Sequence, residues 1–191
     1  HSDTRKARIG NREAIPATVE RVFPMISLLV PTYNQEQEIS GCVKGLFNCA
    51  LKYRGSSEII IIDDGSTDNT YESAWAVIAA LQKEAPHTCV RTLKHMMHLG
   101  KTEALKTGAN KAMGEYLALV DAATPFDYVS LNSLIDTISS TMKAMIRSEV
   151  RLPEHPGIAT PPRLVWVYRA DALRRLLNEE DETKALQELG A

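Results

Sequence analysis

Long apolar runs are missing from this chain of 191 residues. None approaches the roughly 20 consecutive apolar residues that a membrane-spanning helix requires. No secretory leader is visible over residues 1–22, and both ends read as trimmed. Cysteine is scarce: Cys42, Cys49 and Cys89 form an odd set without CxxC spacing. That argues against a disulfide framework and for reduced, small, buried residues of a cytosolic domain. Cys42 and Cys49 fall on one expected helix, where core packing suits them better than metal binding. Charge of one sign is lacking too, because 22 Lys and Arg stand against 24 Asp and Glu, for a net −2. The footprint of a nucleic-acid binder is therefore absent. No GxGxxG follows the first apolar strand and no GxxxxGK[ST] occurs anywhere. The dinucleotide-binding and P-loop readings lose their main support. Low-complexity segments are absent as well, and the length suits one domain with a substantial core.

What is present centres on Glu58-Ile59-Ile60-Ile61-Ile62-Asp63-Asp64-Gly65-Ser66-Thr67-Asp68-Asn69-Thr70. Four β-branched apolar residues without alternation predict a strand buried on both faces, as in a parallel sheet. Asp63 and Asp64 then sit at its carboxyl end, where open α/β sheets place their ligands. Gly65 permits a tight turn, and Ser66, Thr67 or Asp68 can cap the next helix.

The remaining elements alternate around this strand. Residues 1–22 read as a polar arm. Phe23 to Val30 predicts a first strand that Pro31 terminates, lacking an N–H. Asn34 is placed to cap a helix whose apolar face is Ile39, Val43, Leu46, Phe47 and Ala50. A helix from about Asn69 turns Ala74, Val77, Ile78 and Leu81 inward. Thr88 to Leu93 is a short third strand. The next helix carries Ala104, Leu105, Gly108, Ala109 and Ala112 on one side, small enough for close packing, with Gly114 at its C′ position. Tyr116 to Val120 is a fourth strand that ends on Asp121, and Leu131, Leu134, Ile135 and Ile138 mark another helix. Met142 to Pro162 reads as irregular and mobile. Leu164 to Tyr168 is a strand, followed by a helix through Leu173 and Leu176 and a last turn set by Ala185, Leu186 and Leu189.

This alternation predicts an α/β fold with a Rossmann-like, doubly wound sheet. Right-handed crossovers bring the strand ends at Pro31, Asp63-Asp64 and Asp121 to one crevice. An acid there can accept the ring N–H of uracil or guanine, or bind ribose hydroxyls, while Pro31 and Tyr33 wall the base. A diphosphate beside carboxylates calls for a cation, and a divalent metal bridging both is the usual answer. Lys101 at a helix start adds positive charge where the helix dipole already favours phosphate.

Pro31-Thr32-Tyr33-Asn34-Gln35, Ile61-Ile62-Asp63-Asp64-Gly65-Ser66-Thr67-Asp68, Gly100-Lys101 with Ala104, Leu105 and Gly108, Gly114-Glu115-Tyr116 and Asp121-Ala122 follow in order. In that order and spacing they resemble the inverting family 2 glycosyltransferases of GT-A fold, with a mixed sheet. The resemblance implies a nucleotide-sugar-binding half over 23–140 and a short, truncated acceptor-side half over 141–191. It implies a UDP- or GDP-sugar donor, with Pro31, Tyr33, Gln35, Asp63 and Asp64 around base and ribose, Asp64 ahead of Asp63. Lys101, Asp121, Ala122 and Ala123 complete the donor site, and Asp121 is the expected ligand of a Mg²⁺ or Mn²⁺ ion. The sugar goes to a lipid phosphate, a polysaccharide or another acceptor. By the same resemblance Asp181, in Glu180-Asp181-Glu182-Thr183, is the general base beside catalytic Asp121. A cytoplasmic location with peripheral membrane association follows by analogy, and no nucleic-acid partner is expected.

The chain departs from the family where Ala123 replaces the second aspartate of the Asp-x-Asp metal motif. Gln35 stands where glutamate is frequent, and His98-Leu99-Gly100 replaces Asn-x-Gly. The main alternative is a nucleotide-sugar-binding module that has lost metal-assisted transfer. A receiver-like phosphoacceptor, with Asp121 modified, is disfavoured because Lys101 opens a helix. His95 and His98 lack a third ligand at their loop and read as exposed or packing residues. Met96 and Met97 read as core or lid filler.

Overall fold

The computed structural model describes residues 23–123, 133, 136, 145–150 and 163–178. Strand β1 spans Ile26–Thr32, helix α1 Glu36–Lys52, β2 Ser57–Asp63, α2 Thr70–Glu84 and β3 Cys89–Lys94. Helix α3 follows at Lys101–Lys111 and β4 at Tyr116–Leu119, then β5 at Met145–Val150, β6 at Arg163–Arg169 and α4 at Ala170–Asn178. The strands form one six-stranded sheet in the order β3-β2-β1-β4-β6-β5. The first four are parallel, whereas β6 runs antiparallel to both β4 and β5. The sheet is mixed, as the resemblance implies.

The isoleucine run forms the buried strand expected of it. Ile59 to Ile62 are essentially inaccessible, and each contributes about 1.5–3 kcal/mol by leaving water. Ile59 and Ile61 join Leu28, Val30, Ile39, Val43, Phe47 and Ile78 beneath α1 and α2. On the opposite face, Ile60 and Ile62 join Leu29, Leu105, Leu117, Leu173 and Leu177 beneath α3 and α4. A Cβ on Gly108 would lie 2.7 Å from Ile62 Cδ1, so the small face of α3 does allow close approach.

At the amino-terminal end of the sheet, buried Glu58 ties three elements together. Its Oε1 accepts the Ser27 hydroxyl and the Met113 amide, both at 2.6 Å, and its Oε2 pairs with Arg91 at 2.5 Å.

Several expectations change. Pro31 does not end β1, which continues to Thr32 opposite Asp63. Strand residues alternate in the side to which they bond, and the Leu29 carbonyl takes the Val120 amide. The missing Pro31 donor therefore falls on the β4 side, beyond the last β4 partner, Leu119. Gly114 is not a helix cap: α3 ends at Lys111 with extended Ala112 after it. A Cβ at Gly114 would lie 2.6 Å from the Ser27 nitrogen, so the residue permits a close crossing of backbones. Met145–Val150, expected to be irregular, is a strand that among the described residues pairs with β6 alone; its sequence alternates too little to announce itself.

Cys42 and Cys49 are buried, but Cys89 is exposed. Burial pushes the Cys42 thiol up to about 12, with Asp121 and Cys49 adding to it, which suits an inert core residue. Among the described residues no helix is long and apolar enough to cross a membrane. The expected arm at 1–22, the apolar positions 131, 134, 135 and 138, and the expected terminal turn at 185–189 lie outside the described residues.

Candidate functional site

Strand order reverses at β1, which has β2 on one side and β4 on the other. Chains leaving adjacent carboxyl ends in opposite directions open a crevice there. Two loops on the β2 side are knotted together. The Asn34 side chain does not cap α1, whose cap position is Gln35. Asn34 adopts φ +50°, and its Oδ1 accepts the Thr67 amide at 2.9 Å. Ser66 Oγ in turn accepts the Asn34 amide at 3.0 Å. Thr70 Oγ1 accepts the Gln35 amide, and Asp68 accepts the Glu36 and Thr70 amides. Asp68 thus serves orphan donors at the starts of two helices, the need that a short polar run meets. Burial raises its pKa, but the Thr70 hydroxyl and amide and the Glu36 amide outweigh this and hold the carboxyl below its ordinary value.

Asp64 organises the other side. It is buried, and its Oδ1 accepts the Leu99 amide at 3.0 Å while Oδ2 accepts the Gly100 amide at 2.7 Å. His95 Nδ1 lies 2.6 Å from Oδ1, and His95 Nε2 lies 2.9 Å from Thr107 Oγ1. An ionised carboxylate only accepts, so Nδ1 carries a proton and donates the hydrogen bond to Asp64, while Nε2 engages the Thr107 hydroxyl. Burial alone would raise the Asp64 pKa. The hydrogen bonds from His95, Leu99 and Gly100, with His98 nearby, reverse this and hold it below the usual carboxylate value. Gly65, at φ +71°, completes the fit: a Cβ there would lie 2.4 Å from the Met97 carbonyl carbon. The loop between β3 and α3 can lie across the β2 end only because that position is glycine.

His98 stands half exposed at the mouth of the crevice, its Nδ1 2.8 Å from Asp64 Oδ2. Its ring stacks on Tyr33 with centroids 3.8 Å apart and planes inclined by 22°. Met96, Met97 and Leu99 are exposed around it, so the two methionines are not core filler. His95 is not recognisable as a site residue in the sequence, and His98 is marked only as the residue standing at the first position of the family's Asn-x-Gly. The other hint is that two histidines flank the loop following a parallel strand.

A cleft of about 220 Å³ results, lined by Pro31, Thr32, Tyr33, Gln35, Asp64, His98, Lys101, Ala104 and Asp121. Six of the residues expected at a donor site, Pro31, Tyr33, Gln35, Asp64, Lys101 and Asp121, are brought together there. Asp63 is not among the lining residues. It is buried, its Oδ1 accepts the Ser66 amide at 3.3 Å, and Lys94 Nζ stands 3.8 Å from its Oδ2. Ala122 and Ala123 also do not line the cleft. Asp121 is exposed, and its Oδ1 accepts the Ala123 amide at 2.9 Å. Asp181 lies outside the described residues.

The cleft can accept an N–H at Asp64, stack a flat ring at Tyr33 and offer the Lys101 cation at a helix start. A hard dication takes six or more oxygen ligands. Among the described residues no cluster of three His, Cys, Asp or Glu side chains could hold a metal. At position 121 a single carboxylate stands with one oxygen already turned to its own loop. Among the described residues the donor set does not by itself fit a resident Mg²⁺ or Mn²⁺; phosphate oxygens of a bound nucleotide are one source of further ligands.

The Glycosyl transferase family 2 model matches residues 27–159. Dolichyl-phosphate beta-glucosyltransferase of Dictyostelium discoideum is 32% identical over 143 residues, covering 70% of this chain and 42% of that protein. Dodecaprenyl-phosphate galacturonate synthase of Rhizobium johnstonii is 27% identical over 113 residues, 59% of this chain and 32% of the relative. The chain therefore spans less than half the length of these relatives. Among solved structures, mannosyltransferase PcManGT from Pyrobaculum calidifontis, in complex with GDP-Man and Mn²⁺, is similar with a TM-score of 0.63 at 19% identity. The likeness covers 88% of this chain and 47% of that one. S. aureus TarS in complex with UDP is similar at 0.59 and 18%, covering 85% and 54%. At such identities the likeness speaks for the fold.

Proposed function

The chain belongs to glycosyltransferase family 2 and has the GT-A fold, and from that premise we propose that it binds a UDP- or GDP-sugar and transfers the sugar, with inversion, to a lipid phosphate. The observation that carries this reading is the cleft at the carboxyl ends of β1 and β2, with Asp64, Tyr33, Lys101 and Asp121 on one wall system.

In this reading Asp64 accepts the imino N–H of the base and Tyr33 and Pro31 wall its face. Gln35 and Asp121 serve ribose hydroxyls. Lys101 at the start of α3 faces the diphosphate, aided by the helix dipole. On a lipid phosphate the attacking atom is a phosphate oxygen, which bonds to the anomeric carbon in line as the nucleoside diphosphate leaves; Asp181, as general base, takes the proton of a monoanionic acceptor phosphate. The names of the dolichyl- and dodecaprenyl-phosphate relatives support a polyprenyl phosphate over a saccharide acceptor. A peripheral position at the cytoplasmic face of a membrane accords with such an acceptor.

One observation favours a second reading, a binding module that no longer transfers. Position 123 is alanine, and Asp121 Oδ1 is turned to the amide of that residue. Calorimetric titration of UDP and GDP, with and without Mn²⁺, separates the two. Binding that tightens with Mn²⁺ supports transfer, and metal-indifferent binding supports the module. Absence of heat with either nucleotide refutes both.

A further inference from the structure

We propose that His98 holds the place of the nucleobase in the free protein and competes with the incoming donor for it. The inference rests on the donor reading above and sharpens it.

An ionised carboxylate offers about four acceptor positions. At Asp64, Oδ1 is taken by His95 and the Leu99 amide, and one position of Oδ2 by the Gly100 amide. The position left over is the one that His98 Nδ1 approaches at 2.8 Å. The same imidazole lies flat on Tyr33, centroid to centroid 3.8 Å. A planar heteroaromatic ring, stacked on Tyr33 with a ring nitrogen against Asp64, is what a bound uracil or guanine would also present. Both cannot occupy that place.

Which group yields follows from burial. The His95 side chain is only 11% exposed and has both ring nitrogens engaged, by Asp64 and Thr107. The two amides are backbone at the entry to α3. The His98 side chain is 49% exposed and can swing outward into solvent. Entry of a base therefore exchanges the His98 contact for a base contact at the same carboxylate oxygen.

Two consequences follow. The apparent affinity for a nucleotide is its intrinsic affinity scaled by the fraction of molecules with His98 swung out. The exchange also selects by chemistry. Uracil and guanine carry a ring N–H and restore the contact that His98 gives up, whereas cytosine and adenine carry none. His98 thus acts as a specificity residue for imino-bearing bases.

The test is calorimetric titration of UDP, GDP and CDP into wild type and His98→Ala, with proton NMR of the wild-type histidines. His98→Ala should bind UDP roughly 3- to 10-fold more tightly, as expected when a competitor occupying most of the population is removed. UDP should move the His98 ring protons downfield as the ring leaves Tyr33, and CDP should not. If His98→Ala binds UDP equally or more weakly while wild type binds it, His98 is not a competitor, and the donor reading stands without it. If neither protein binds UDP or GDP, both inferences fail together.

Discussion

Replacing Asp64 by asparagine keeps the shape of the side chain and removes its charge, which makes it the sharpest perturbation of the site. In Asp64→Asn, Oδ1 can still accept from His95 and Leu99. The new amide nitrogen, however, faces the Gly100 N–H at the 2.7 Å position, donor against donor. Hydrogen bonds to charged groups contribute about 1.5–3 kcal/mol each. Losing one outright and weakening two others predicts a destabilisation of about 3 kcal/mol. Denaturant unfolding reads it as a lower midpoint with unchanged slope. Amide exchange at Leu99 and Gly100 should accelerate, because both lose a carboxylate acceptor. The pH dependence follows from the depressed pKa of Asp64. A carboxyl whose folded pKa lies below its unfolded value contributes stability that is complete above the unfolded pKa. That stability is lost as pH falls through the folded pKa. The gap between wild type and variant should therefore be present at neutral pH and close below about pH 4. A variant within about 0.5 kcal/mol of wild type at pH 7, with Leu99 and Gly100 still protected, would refute the role assigned to this carboxylate.

Gly65→Ala should cost about 2 kcal/mol and loosen the β3–α3 loop, since the position is left-handed and its Cβ would meet Met97 backbone; a neutral melting temperature would contradict this. Glu58→Ala should cost about 3 kcal/mol, because it removes the acceptor of the Met113 amide and the Ser27 hydroxyl and the carboxylate partner of Arg91, which keeps the Lys111 carbonyl, and leaves a buried gap. Unfolding in denaturant measures it, and nucleotide binding by the folded variant should persist because Glu58 lies at the far end of β2. Ala123→Asp should strengthen Mn²⁺-dependent UDP binding by giving Asp121 a second carboxylate. Unchanged binding would mean that the site is not built around that position.

Much of this arrangement was legible in the residues, for reasons that differ by element. The four isoleucines, the apolar face of α1 and the small face of α3 are local patterns, and local patterns carry their meaning within a few residues. The convergence of the strand ends at Pro31, Asp63-Asp64 and Asp121 follows from the handedness of crossovers, a rule of topology, although Asp63 does not line the cleft. What stayed hidden depended on partners remote in sequence. Asp64 bonds amides 35 and 36 residues away, and no spacing rule connects them. Asn34 looked like a helix cap because caps are its commonest work, yet its left-handed backbone turns the side chain to Thr67 across 33 residues. Of the three cap candidates Ser66, Thr67 and Asp68, Asp68 does serve the start of the following helix, and of α1 as well, while Ser66 and Thr67 lock two loops together. Gly114 follows a helix as a C′ glycine would, yet its smallness serves close packing against Ser27, a use that sequence position does not distinguish from a turn.

The central claim is that a nucleotide sits at the carboxyl ends of β1 and β2. Amide chemical-shift mapping during a UDP titration tests it most directly. The account predicts the largest shifts at Tyr33, Gln35, Leu99, Gly100, Lys101 and Asp121, with the groove at the opposite end of the sheet, around Met113, Glu115 and Arg174, left undisturbed. Shifts concentrated at that opposite groove, or none at saturating UDP and GDP, would contradict it.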